Sequence, residues 1–194
     1  MTELGGEPTD LIVFPEYSDP AQLTAASLRH PNSIVVGAAE DAHRNRGYLL
    51  HHGRNQIDYL KLEPDGRTDG SEDIGQSPVY ESANVCVGVL ICMDIQIADF
   101  LRRIVRAIRS SSSELKFLCV SADMGSEWFP GKMLSSDFAG VYVVVCNHTM
   151  NHQVRCKSFM TNLRGEKITP QVDVEPIHYG LLANGDEPER IFGG

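Results

Sequence analysis

The segment Val85–Ile91 contains no charged side chain and ends abruptly at Cys92. A run that is apolar at every position has to be covered on both faces of its pleat, so it reads as a fully buried strand. A clear amphipathic helix follows at Asp99–Ser110. Leu101, Ile104, Val105 and Ile108 share one face, and Arg102, Arg103, Arg106 and Arg109 lie elsewhere as a solvated face. Lys116–Ser121 is the next strand. A buried strand, a one-sided helix and another buried strand are the units of a layered α/β domain, and this constrains the remaining readings.

The rest of the chain continues the alternation. Leu11–Phe14 is a short strand that stops at Pro15 and delivers Glu16 into a loop. Asp19-Pro20 supplies an N-cap and a proline for the first helical position, opening a helix to about Arg29. Ser33–Ala38 reads as a buried strand. Gly47–His51 and Gln56–Leu62 flank a turn at Gly53-Arg54-Asn55, with His51 and His52 as exposed turn residues. Glu63–Pro78 is a long acidic loop. Gly131–Gly140 is a weaker helix and Val141–Asn147 another buried strand. Val154–Thr161 and Glu166–Ile168 bracket a second hairpin at Asn162–Gly165, and Ile177–Leu182 is a last strand candidate. The expectation is one α/β domain with mixed sheets over 1–194, its core at about 10–170 and its tail at 171–194.

Charge and cysteine content narrow the function classes. Lys and Arg number 17 against 26 Asp and Glu, a net charge of −9. That balance argues against nucleic acid as a partner, since phosphate neutralisation needs a basic surface. No apolar run approaches the ~20 residues of a membrane helix, and the opening MTELGGEPTD lacks the apolar core of a signal peptide. The five cysteines, Cys86, Cys92, Cys119, Cys146 and Cys156, are odd in number. A reduced, cytoplasmic protein is therefore expected rather than a disulfide framework.

Reactive residues stand where apolar runs stop: Glu16 after Val13-Phe14-Pro15, Lys61 after Tyr59-Leu60, and Cys92 after Val89-Leu90-Ile91. Strand ends of an open α/β sheet are where sites are built. A carboxylate can take a thiol proton, an ammonium and a backbone N–H can hold an oxyanion, and a cysteine can form a thioester. A cysteine on a strand-to-helix turn is also expected to have a lowered pKa from nearby N–H groups. Taken singly, Cys92 would be core filler, Glu16 a cap and Lys61 a surface residue.

Together, Asp10-Leu-Ile-Val-Phe-Pro-Glu16, Tyr59-Leu-Lys61 and Val87-Gly-Val-Leu-Ile-Cys-Met-Asp94 resemble the nitrilase superfamily of carbon–nitrogen hydrolases. That family carries a Glu after an FPE-like strand end, a Lys in a Y.K context and a Cys in a G..IC.D context, in this order. The Lys61–Cys92 interval fits the family closely, whereas Glu16–Lys61 is short. Phe117–Ser121 with Glu127-Trp128, Val141–Asn147, and Lys157-Ser158 with Leu163-Arg-Gly165 resemble later family segments.

The resemblance implies an α-β-β-α sandwich, usually a homodimer joined helix layer to helix layer. It implies Cys92 as nucleophile, Glu16 as general base, Lys61 as oxyanion stabiliser and the Met93 N–H as second oxyanion donor. A further carboxylate, Asp69 or Glu72, would assist, and Asp123, Met124 and Trp128 would line the pocket. The implied substrate is a small-molecule amide, in preference to a nitrile, with no cofactor and no metal.

Some features depart from the family. Only Met1–Asp10 precede the first strand, where the family has a strand and a long helix, so a short or trimmed domain is expected. Met93 replaces an aromatic, Ile97-Ala98-Asp99 replaces a second FPE, and Lys132–Ser136 replaces an RA.EN-like helix start. Two other constellations compete. Cys146, His148, His152 and Cys156 have metal-ligand residue types but fit strand and loop positions better. A Cys–His hydrolase could use Cys92 with His148 or His178, oriented by Asp94 or Asp123.

A second function class is a catalytically degenerate, nitrilase-like binding or regulatory domain of a larger protein. Cys92→Ala separates the two. For an enzyme the substitution removes turnover and leaves the fold unchanged by circular dichroism; a cellular role that survives it assigns the chain to the second class.

Overall fold

The computed structural model describes residues 10–64, 70, 78–123, 136–147 and 158–168. A five-stranded sheet is built from β1 (Asp10–Val13), β2 (Ser33–Asp41), β3 (Arg44–His51), β4 (Arg54–Asn55) and β5 (Tyr59–Leu60). Its order is β1-β2-β3-β4, with β5 also paired to β3. A six-stranded sheet contains β6 (Val79–Glu81), β7 (Val85–Ile91), β8 (Leu115–Ala122), β9 (Tyr142–Asn147), β10 (Phe159–Thr161) and β11 (Lys167–Ile168), in the order β11-β10-β9-β8-β7-β6. β1–β2, β7–β8 and β8–β9 are parallel and the other pairs antiparallel.

Parallel neighbours need a crossover, and helices provide two of them. Helix α1 (Pro20–Arg29) joins β1 to β2, and α2 (Ala98–Ser110) joins β7 to β8. Asp19 caps α1 by accepting the Ala21 N–H at 2.8 Å, as its place before a proline predicts. Leu23 of α1 lies over Gly37 of β2, where a Cβ would stand 2.7 Å from its Cδ2. On the other side, Phe100, Leu101, Ile104, Val105 and Ile108 of α2 are buried, and Gly88 admits Ile104 and Ile108 against β7. Of the four α2 arginines, Arg109 is committed, donating to the Asp137 and Ala139 carbonyls at 2.6 and 2.8 Å.

The two sheets face each other, β1 over β9, β2 over β8 and β3 over β7. Ile34, Val36, Ala38 and Leu49 from one sheet share a core with Val87, Val89 and Ile91 from the other. Leu23, Val35 and Leu50 form a smaller core under α1. The layers are therefore α1, sheet, sheet, α2. This is the expected sandwich of mixed sheets, and Val85–Ile91 is buried at every position as its composition requires. Among the described residues, no helix is long and apolar enough to cross a membrane.

Local readings needed correction at two turns. β2 runs on to Asp41 and forms a tight hairpin with β3 through Ala42 and His43, whose φ values are +48° and +65°. Positive φ at both central residues defines a type I′ turn, which normally selects Asn-Gly. Ala-His gives no such signal, so the hairpin was not visible in the sequence. The next turn centres on His52 (φ +52°) and Gly53 (φ +71°), while Arg54 and Asn55 belong to β4. His51 is buried rather than exposed, 2.9 Å from the Tyr80 hydroxyl through Nδ1. Of Gln56–Leu62, only Tyr59–Leu60 pairs as strand. The Asn162–Gly165 hairpin forms as read, with Asn162 Oδ1 accepting the Arg164 and Glu166 N–H groups at 2.9 and 3.0 Å. Most of Gly131–Gly140, most of the acidic loop, Val154–Lys157 and Ile177–Leu182 lie outside the described residues.

Left-handed backbone at non-glycine residues costs about 1–2 kcal/mol each. Replacing Ala42 and His43 together by Asn and Gly is expected to stabilise the protein by about 1–2 kcal/mol. The check is a higher urea midpoint at unchanged m-value.

Candidate active site

Three loops converge at one end of the sandwich. After β1, the Phe14 N–H bonds the Val36 carbonyl at 2.7 Å, and the chain then turns sharply. Tyr17 has φ +60°, and Ser18 donates through Oγ to the Pro15 carbonyl at 2.7 Å. The Glu16 N–H reaches across to the Ala122 carbonyl at the end of β8, at 3.4 Å. Glu16 is thus held where the two sheets meet, with no solvent exposure. After β5, the Lys61 N–H bonds the Asn45 carbonyl at 2.8 Å, and the side chain points inward. Its Nζ lies 2.6 Å from Glu16 Oε1. Two opposite charges buried this deeply require close pairing, because each alone would carry a large desolvation cost.

Cys92 is the residue at which β7 stops, and its φ is +44°. Positive φ at a non-glycine residue is strained, and such strain gathers at functional sites. A single 3-10 turn, Cys92–Gln96, follows, and α2 begins only at Ala98. Met93 therefore lies at the N-terminal end of a turn, where backbone N–H groups have no partner within the turn itself. The thiol hydrogen-bonds Glu16 and receives a backbone hydrogen bond from Asp123; the charges of Glu16 and Lys61 both act on it.

The acidity of the thiol differs from the sequence expectation. Burial, followed by the Glu16 charge, pushes the Cys92 pKa up strongly. The Asp123 backbone bond and Lys61 oppose this without reversing it. Only 3% of Cys92 is exposed, so removing water from the thiolate outweighs a one-turn dipole. The resting nucleophile is a thiol, hydrogen-bonded to a carboxylate.

A second buried group braces the first. Asp94, two residues after the cysteine, accepts the Tyr59 hydroxyl in a short hydrogen bond. It also accepts the Glu63 N–H at 2.7 Å and the Leu62 N–H at 3.1 Å. The segment carrying Lys61 is thereby stapled to the turn carrying Cys92. Burial raises the Asp94 carboxyl pKa, with the Tyr59, Glu63 and Leu62 bonds opposing. Tyr59 is held well above its ordinary range by burial and by the Asp94 charge. Sequence reasoning had considered Asp94 only as a partner for a histidine ring. Its spacing from Cys92, matched by that of Tyr59 from Lys61, is the signal that could have singled it out.

The structure therefore brings Glu16, Lys61 and Cys92 together, with Met93 and Asp123 alongside. Asp69, Glu72, Met124 and Trp128 lie outside the described residues, as do His148, His152, Cys156 and His178. The group adjacent to Cys92 that can accept its proton is Glu16, and Asp94 is occupied by Tyr59 and two backbone N–H groups.

The architecture has known counterparts. The amidase from Nesterenkonia sp. AN1 matches with a TM-score of 0.59 at 18% identity, covering 81% of this chain and 73% of its own. A second structure of that enzyme, with acrylamide joined to its active-site cysteine by Michael addition, matches with a TM-score of 0.58. Nit3 of Saccharomyces cerevisiae, a member of branch 10 of the nitrilase superfamily, matches with a TM-score of 0.60 at 16% identity, covering 82% of this chain and 71% of its own. Neither family models nor curated proteins match the sequence. The chain has the nitrilase-superfamily fold.

Tyr59→Phe leaves Asp94 without its hydroxyl donor. A hydrogen bond to a charged group contributes about 1.5–3 kcal/mol, so a loss of that order is expected in urea unfolding. An unchanged midpoint would show that the hydroxyl does not anchor the Lys61 segment.

Proposed function

We propose that the protein is a carbon–nitrogen hydrolase that cleaves small non-peptide amides through a Cys92 thioester. The observation that carries this reading is the Glu16 carboxylate, bonded to both the Lys61 ammonium and the Cys92 thiol in a site without water access. An ammonium, a carboxylate and a thiol in one closed site supply the three functions that acyl transfer needs.

In the proposed reaction the Cys92 sulfur bonds the amide carbon while its proton passes to Glu16. The carbonyl electron pair moves onto oxygen, facing the Lys61 Nζ and the Met93 N–H. On collapse the C–N bond breaks, and Glu16 returns the proton to the leaving amine. Water then gives a proton to Glu16 and its oxygen to the thioester, and Cys92 departs with that proton. The raised thiol pKa suits this sequence. Proton transfer is coupled to attack, and Glu16 acts as base in the step rather than holding a preformed thiolate.

The amidase of similar fold, with a reactive cysteine that accepts acrylamide, makes short aliphatic amides the first substrates to test. The alternative, a binding module, gives no reason to maintain a strained cysteine beside a buried ion pair.

The test is Glu16→Gln. Loss of a general base lowers turnover by about 10²–10⁴-fold, read as ammonia released from short aliphatic amides. Iodoacetamide labelling of Cys92 moves in the opposite sense. In the wild type, burial and the Glu16 charge keep the thiol protonated, so its labelling rises at higher pH than the ~8.5 of a free cysteine. Removing that negative charge leaves Lys61 as the nearest charge, so labelling shifts to lower pH. A wild type that releases no ammonia, or whose labelling profile ignores Glu16→Gln, overturns the reading.

A further inference from the structure

Glu16 has a third partner that neither the motif nor the triad includes. Asn45, on β3, donates from Nδ2 to Glu16 Oε1 at 2.7 Å. The Lys61 Nζ lies 2.6 Å from the same oxygen. A carboxylate oxygen has two lone-pair sites, so Oε1 already has its full complement of donors. Asn45 is itself fully buried. Its backbone carbonyl also accepts the Lys61 N–H at 2.8 Å. One residue thus locates both members of the ion pair, one by its side chain and the other by its main chain.

From this geometry we infer that Asn45 is a positioning residue that commits Oε1 to the ion pair and makes Oε2 of Glu16 the atom that exchanges protons with Cys92, the leaving amine and water. This rests on the hydrolase reading above. The proton from the thiol goes to Oε2, leaves with the amine, is replaced from water and returns to sulfur, so Glu16 ends each cycle ionised. Asn45 suits this role because its amide does not titrate. Its donor stays in place whichever form Glu16 takes, whereas a carboxylic acid or an imidazole would exchange protons with the base.

The fold also keeps Asn45 at an energetic disadvantage. Its Oδ1 is buried with no hydrogen-bond partner among the described residues. An orphaned buried acceptor is destabilising, and an apolar side chain of the same volume would avoid it. Asn45 shares its face of β3 with Gly47 and Leu49, which lie against Tyr59 and the main core, so leucine would be the ordinary choice there. A purely structural role does not account for an asparagine in that place.

The test compares two variants with the wild type on short aliphatic amides. Asn45→Leu is expected to lower kcat by about 10–100-fold, the range seen when orienting partners are removed, with KM within twofold and the thermal midpoint retained. Asn45→Asp keeps the shape but donates only when protonated. The charged groups around that position are Glu16, Lys61 and Cys92 at the site, and Glu40 across the hairpin, which is exposed. The Asp variant is therefore expected to be most active at acid pH and to lose activity as its carboxyl ionises beside Glu16, a limb the wild type lacks. If Asn45→Leu does not fold, the Asp profile alone decides. An active wild type with unchanged kcat in Asn45→Leu, or with no new limb in Asn45→Asp, overturns the role of Asn45 and leaves the hydrolase reading standing. An inactive wild type overturns the hydrolase reading, and this inference with it.

Discussion

The site depends on one interaction, the ion pair between Lys61 Nζ and Glu16 Oε1 at 2.6 Å, which is closed to solvent on both sides. Burying either charge alone would be prohibitive, and leaving one partner uncompensated typically costs about 3–5 kcal/mol. The pair is tolerable because its geometry is close and because Asn45 adds a neutral donor to the same oxygen. It also explains why the loops after β1 and β5 come together although they are distant in sequence. The Glu16 N–H contact with the Ala122 carbonyl then ties this pair, which belongs to one sheet, to the end of the other.

Cys92 enters that arrangement from the second sheet at a strained backbone angle. A buried thiol beside a carboxylate is held protonated, and a lone ammonium does not reverse this when the carboxylate lies between. Reactivity in such a site comes from a base in contact with the thiol rather than from a standing thiolate. Precision comes from behind the site. Asp94, bonded by Tyr59 and by the backbone of Leu62 and Glu63, locks the spacing between the lysine segment and the nucleophile turn. The two braces, Asn45 and Asp94, act on different members of the trio, and each is fully buried.

How much of this could be read from the sequence varies residue by residue. Glu16, Lys61 and Cys92 were legible because each stands where an apolar run stops and because their order matches a known motif. The helices were legible because Asp19-Pro20 is a local capping signal and Asp99–Ser110 has a clear apolar face. The β2–β3 hairpin was not, because Ala42 and His43 adopt positive φ without the residues that normally mark such a turn. Asn45 was hidden with it, since its role exists only once that hairpin places it against Glu16.

By itself, then, the amino-acid sequence determined the layered α/β class, the strand ends that carry reactive groups and the identity of those groups. These follow from periodicity, capping and side-chain chemistry, all of which act over a few neighbouring residues. The tertiary structure alone decided that the thiol is protonated at rest, that Asn45 and Asp94 brace the site and that Oε1 is the oxygen bound to lysine. Those properties come from desolvation and from hydrogen bonds between segments about 30 residues apart in the chain, and neither is set until the two sheets close on each other.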